Sequence, residues 1–364
     1  MSLKTIEDSN LGIIADAIRI KAGTTGKMVF PEGFVETVNN IQTGGSSEDS
    51  VKICEGGYEE VTIPEGTKKI KRSLFYSDSK LKTVNLPESV TEIASSAFNG
   101  CTNLELESLP DRITALGDSV FENCSKISLT SLPENMTSLG NRAFVGCTNL
   151  ALKALPDGLT IIGNETFQNC TNLALSYLPE GITSIGSTAF YSCGKIALDT
   201  LPNSITSIGY SAFSSCSALA LTSLPDGITN IPANTFRSCT NLKSMTFPNT
   251  VLSIGSEAFS YCRNLVSISL PLNLISIAYN AFSHCESLAS LIIPESVDSI
   301  ESYAFSYCTV LSEATFIGTP STIGRCFDSC KNLNTINVPW SEGEVEGAPW
   351  GAPNVTINYN YTGE

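Results

Sequence analysis

A single histidine, His284, stands in a chain of 364 residues, and this scarcity leaves histidine-based catalysis little to stand on. Cysteine is plentiful, yet no two cysteines are spaced CxxC, so a zinc site lacks its usual ligand set. Positive charge is also sparse: 21 Lys and Arg face 36 Asp and Glu, for a net charge of −15. The basic residues form no stripe, which argues against nucleic acid as a partner. No stretch approaches the roughly 18 consecutive apolar residues of a membrane span. The opening MSLKTIEDSN has no long apolar core of the kind a secretory signal carries. The expectation is a chain made in the cytoplasm, with no membrane span, no cofactor and no enzymatic activity.

What the chain does have is a period. Prolines recur every 23 residues from Pro64, Pro87 and Pro110 to Pro294, phenylalanines do so from Phe75 to Phe305, and cysteines from Cys101 to Cys308. Self-similarity at a fixed interval of this length is the mark of a solenoid. One unit, read from Tyr177, places Leu178, Ile182, Ile185, Ala189, Phe190, Cys193, Ile196 and Leu198 as the inward set. Equivalent residues in successive coils form ladders at about 5 Å spacing, so one coil buries its apolar face only against the next.

The polar positions fit the same coil. Pro-Glu-Gly and Pro-Asp-Gly at Pro179 and Pro225 are turn chemistry, and the Ile-Thr that follows suits a short strand with Thr outward. Before each proline two patterns occur: Leu81, Val84 and Leu86 in the outer coils, against Leu104, Leu106 and Leu109 in those ending at Pro110 to Pro225. The middle coils should therefore bulge differently from the ends. The Ser-x-x-Ala-Phe-x-x-Cys segment is expected to form a helical or 3₁₀ turn. The fold class is thus an α/β repeat solenoid of short strands and helical turns.

Ten cysteines share one core column, Cys330 continues it after a shortened coil, and Cys326 takes a place held elsewhere by Ala304 and Ala281. They read as buried, reduced thiols, with Cys54 outside the column. His284 precedes Cys285, which suggests a Cys–His nucleophile. The frame separates them, because Cys285 belongs to the inward column and His284 to an outward one. An acidic column follows proline (Glu88, Asp111, Glu134, Asp157, Glu180); it is either a solvated turn or a stack of Ca²⁺ ligands.

The unit LP-x-x-ITSIG-x-x-AF-x-x-C-x-x-L closely resembles the BspA-like leucine-rich repeats of bacterial surface proteins. The likeness covers about residues 53 to 338. It implies a right-handed superhelix of about 12 coils serving as an adhesive or partner-binding surface, with no shared active site.

The flanks leave the period. Leu11, Ile14, Ile18 and Ala22 share one helical face, and Phe34, Val38 and Ile41 line a second helix opened by Pro31. Residues 1–43 are expected to form a helical hairpin able to drive homo-oligomer or virion assembly, and 44–52 a linker. The segment from Ile14 to Ile41 resembles the N-terminal module of tail-fibre and minor structural proteins of phages and prophages of Firmicutes, and VPWSEGEVEGAPWGAPNVTINYNYTG resembles their ending. That resemblance implies a tail component acting in the virion or outside the cell and meeting a host cell. The alternative is a secreted or surface-displayed adhesin. In either case residues 339–364, with Trp340, Trp350, Val355, Ile357, Tyr359 and Tyr361, should cap the last coil.

Departures from the repeat point to what is particular to this chain. Two places after Phe, early coils carry small or polar residues, whereas three consecutive late coils carry Tyr261, His284 and Tyr307. Stacked, they form a candidate stripe for a protein or glycan on a cell surface. Leu252 and Ile275 interrupt a column of Thr, and Leu272 the acidic column, giving a candidate self-association patch. The plainer reading of both sets is that they are harmless packing variants.

Overall fold

The computed structural model describes residues 28–29 and 59–362, and they wind into a parallel β-solenoid of about 13 turns. Strands stack at two sites along the coil, one of them only in part of the array. On one, two-residue strands recur from Lys69–Ile70 and Glu92–Ile93 to Thr322–Ile323, paired in parallel with like residues in register, as in Ile254↔Ile277. The outward member is polar or Thr-like in most coils and the inward one is Ile or Leu, which is the alternation a half-buried strand requires.

The second strand site precedes proline, and here the two sequence patterns separate. Strands form at Glu60–Thr62 and Thr83–Asn85, and again from Ser244–Thr246 through Ser267–Ser269, Ser290–Ile293 and Glu313–Phe316 to Thr356–Asn358. The intervening coils have none. There Leu106 and Leu109 both turn inward, leaving Glu107 and Ser108 exposed between them. That bulge reduces inter-coil bonding at this point to single contacts such as Ser128 N–H to the Leu106 carbonyl, 3.1 Å.

The expected helical turns are absent. No helix occurs among the described residues, and Ser-x-x-Ala-Phe-x-x-Cys is a series of β-turns. The reason lies in where the amides point. Ala97, Asn99 and Cys101 donate to carbonyls three residues back, whereas Ser96, Phe98 and Gly100 donate to Asp118, Val120 and Glu122 in the next coil, at 2.7–2.9 Å. A helix would spend every amide locally and leave the coils unlinked. The alternation requires left-handed backbone twice per coil, as at Ser96 (φ 57°) and Gly100 (φ 78°). The helical hairpin expected over residues 1–43 lies outside the described residues apart from Met28–Val29, which form a strand paired with Val61–Thr62.

All eight residues assigned inward in the Tyr177 unit are buried. The phenylalanines stack from Phe75 to Phe327 with centroids 5.1–5.9 Å apart. At the C-terminal end Trp340 and Trp350 are buried against Phe316, and Thr356–Asn358 pairs in parallel with Thr335–Asn337.

Candidate functional site

The stripe is built on the second left-handed position of the coil. In early coils Gly100, Asn123, Gly146 and Asn169 hold this position, residue types that accept φ near +60° at little cost. Tyr261 (φ 62°), His284 (φ 59°) and Tyr307 (φ 56°) occupy it in three late coils. A bulky side chain in this region costs on the order of 1–3 kcal/mol and persists only where surrounding structure holds it. Here the coil supplies that structure: Tyr261 N–H donates to the Ser283 carbonyl and His284 N–H to that of Ser306, both at 2.8 Å.

The side chains form one continuous stack. Tyr261 and His284 lie 4.3 Å apart by ring centroid with 7° between planes, and His284 and Tyr307 lie 4.4 Å apart with 6°. The Arg237 guanidinium sits 5.4 Å from the Tyr261 centroid and that of Arg263 sits 5.8 Å away, both within cation–π range. Immediately before the ring residues in sequence stand Ser260, Ser283 and Ser306, all buried, with Ser283 Oγ and Ser306 Oγ 2.8 Å apart. Large residues after small ones therefore mark this face. In earlier coils the order reverses, as in Tyr191-Ser192 and Arg237-Ser238. The column one place after Phe is mixed: Ser214 and Ser260 are buried and Tyr191 is half-buried.

His284 and Cys285 diverge as the frame requires. His284 lies in the outward stack, while the Cys285 thiol is fully buried and donates to the Phe259 carbonyl, 3.4 Å away. This last bond is general, and sequence reasoning missed it. Each column thiol from Cys101 to Cys330 donates to the carbonyl of the phenylalanine in the preceding coil, at 2.9–3.4 Å. The thiols are thus weak donors to a fixed acceptor as well as small apolar fillers. Burial pushes the Cys170, Cys193, Cys239 and Cys285 thiols well up, and those of Cys216 and Cys262 to about 12. Asp78 holds the same place in the first coil, and its Oδ1 accepts from Lys80 and Leu81 N–H. Cys54 lies outside the described residues.

Leu252, Leu272 and Ile275 are exposed, Leu272 by 70%. Leu252 and Ile275 keep the backbone bonds of the Thr column but lack its hydroxyl ladder, seen where Thr183 Oγ1 donates to the Thr160 carbonyl at 3.1 Å. Val266 and Ile292, on the strand face of the same coils, are exposed as well. Their neighbours in the repeat are Ala289 and Ser269, so column comparison was the signal that could have found them. Among the described residues no group of three or more His, Cys, Asp or Glu is placed to hold a metal ion.

With this geometry in view the chain matches the BspA type leucine rich repeat region over residues 54–174, 147–251 and 229–347. It belongs to the BspA-type leucine-rich repeat family. Among solved structures, it is similar to a leucine rich cell surface protein of Faecalibacterium prausnitzii, with 27% identity and a TM-score of 0.54 over 79% of this chain and 89% of that one. A leucine-rich repeat protein of Bacteroides ovatus shares the fold at 24% identity and a TM-score of 0.61, over 83% of this chain and 84% of that one. The pneumococcal vaccine antigen PcpA shares it at 17% identity and 0.54, over 83% and 84%. No curated protein matches the chain. The family match and the Faecalibacterium cell surface protein suggest a non-enzymatic binding or adhesin role, and no helix among the described residues is long and apolar enough to cross a membrane.

Proposed function

We propose that this chain is a recognition protein that meets a cell surface through the Tyr261–His284–Tyr307 stripe, with the rest of the solenoid as its rigid support. The observation that carries this reading is the stack itself. Three aromatic residues stand in consecutive coils at a backbone position that elsewhere takes Gly, Asn or Ser, and they are held parallel. Pre-ordered rings lose little freedom on contact, which favours affinity. The supporting test replaces all three with Asn, the residue found at Asn123 and Asn169, and measures retention on intact bacterial and epithelial cells. Loss of retention with unchanged thermal unfolding is expected; full retention would refute the stripe as the contact.

The flanks give this role a finer form. Residues 14–41 and 338–363 resemble segments of phage and prophage tail proteins, which would place the solenoid on a virion facing its host. In the alternative form the same surface is secreted or displayed by a bacterium as an adhesin, the setting of the Faecalibacterium cell surface protein. Genes for tail assembly beside the coding sequence support the first form, and a wall anchor or secretion signal in the full gene supports the second.

A further inference from the structure

The stack has two different ends. At its N-terminal end Tyr261 is covered by the guanidinium of Arg237, and His284 is covered on both faces by tyrosine. At the other end the column continues to Ser329, also left-handed at φ 61°, whose small side chain covers little. Tyr307 is 44% exposed, more than Tyr261 or His284. Asp328 follows Phe327 in the next coil, in the column of Ser306, and Tyr307 N–H donates to its carbonyl at 3.0 Å. The Asp328 carboxylate accepts from Arg325 through one oxygen and from Ser329 Oγ, 3.0 Å away, through the other. An open ring face thus stands beside a carboxylate and guanidinium that retain hydrogen-bonding capacity.

The charges around the stripe cancel. Arg237 pairs with Glu257, Arg263 with Glu286 and Arg325 with Asp328, in a chain whose net charge is −15. An anionic ligand would meet three carboxylates and the field of the whole chain, and a cationic one would meet three arginines. A neutral ligand with one apolar face and a rim of hydroxyl groups meets neither penalty. From this we infer that the Tyr307 end of the stripe binds the ring of an uncharged sugar, its C–H face on Tyr307 and its hydroxyls on Asp328 and Arg325. The inference rests on the recognition role proposed for the stripe and names the ligand class.

The test uses immobilised neutral oligosaccharides built from glucose, galactose, mannose and N-acetylhexosamines, beside sulfated and sialylated counterparts. The full chain is expected to retain at least one neutral sugar and to bind its charged counterpart more weakly. Tyr307→Asn removes the ring at a backbone position that Asn already occupies in this chain, and should weaken binding roughly tenfold, the scale of one aromatic contact. Tyr307→Phe keeps the face and should retain binding. Ser329→Tyr adds a fourth ring at a left-handed position that tolerates tyrosine, covers the open face and should block binding as effectively as Tyr307→Asn. Preference for charged sugars, or unchanged binding in both Tyr307→Asn and Ser329→Tyr, overturns the inference. Cells oxidised with periodate separate the two readings: retention that survives oxidation but is lost in the triple Asn variant supports a protein ligand and sinks only the sugar, whereas retention by the triple variant sinks the stripe itself.

Discussion

Replacing Phe190 with alanine tests whether the ladder, more than any single coil, holds the solenoid together. Phe190 is fully buried, with Phe167 at 5.6 Å on one side and Phe213 at 5.3 Å on the other. Loss of a buried phenylalanine side chain costs about 3–5 kcal/mol, and the upper part of that range applies where neighbours cannot collapse into the space. Collapse is restricted here, because the Phe190 carbonyl is fixed by the Cys193 amide at 3.1 Å and by the Cys216 thiol at 3.0 Å. Two comparisons make the argument sharp. Tyr191→Ala, next in sequence but half-buried on the outer face, should cost much less. Phe75→Ala should fall between them, since Phe75 stacks on Phe98 alone among the ladder rings. Urea unfolding followed by circular dichroism gives the order through midpoints, which stay meaningful where a repeat array departs from two-state behaviour. Equal shifts for Phe190→Ala and Tyr191→Ala would refute the assignment of inside and outside. A shift for Phe75→Ala as large as that for Phe190→Ala would refute the role of stacking between coils.

Three further outcomes are expected. The column thiols should be silent to a thiol reagent at about pH 8 in the folded protein and react fully once unfolded, because the packed core shields all of them and burial raises Cys193, Cys216 and Cys262 above the ordinary thiol range; equal native and denatured counts, or a mass showing disulfides, would contradict this. Burial lowers the His284 imidazole from its ordinary 6.5, with Arg263 acting the same way and Glu286 opposing. A depressed value favours the neutral form in the fold, so its contribution is complete above the unfolded value and is lost as pH falls. The wild type should therefore lose more thermal stability than His284→Asn between about pH 7 and pH 5, and the reverse order would show the imidazole to be charged in the stack. Self-association, if Leu252, Leu272 and Ile275 drive it, should be abolished by Leu252→Thr, Leu272→Asp and Ile275→Thr together, as measured by sedimentation; an unchanged sedimentation coefficient at high concentration would remove the patch from consideration.

The period made most of the core legible, since a residue such as Ile185 or Cys193 inherits its direction from every equivalent in the array. The same columns placed Tyr261, His284 and Tyr307 in one line before any coordinates. What they could not show was the backbone beneath. Ser, Arg, Glu and Thr at the first left-handed position carry no glycine signature, so the turn side read as helical, and only the split of amides between Ala94 and Asp118 reveals why it is not. Nor could the columns show that Ser214 and Ser260 are buried while Tyr191, in the same column, is half-buried. The Arg325–Asp328 pair escaped for a related reason. It falls in the shortened coil, where the numerical frame slips by one residue and comparison with earlier coils loses its footing.

The left-handed position has a consequence for how this surface can change. Its φ is imposed by amides committed to the next coil, so the side chain attached there takes no part in holding the coil's shape. Each turn thus offers one outward site whose content can be rewritten while its address stays fixed, and adjacent addresses are one ring-stacking distance apart. A recognition surface of this kind grows or shrinks in whole steps, like marks on a ruler. Aromatic substitutions at Ser215 and Ser238 would lengthen the row toward the N-terminus without a new loop, insertion or hinge, and ligands of increasing length could be sorted by the number of marks they cover.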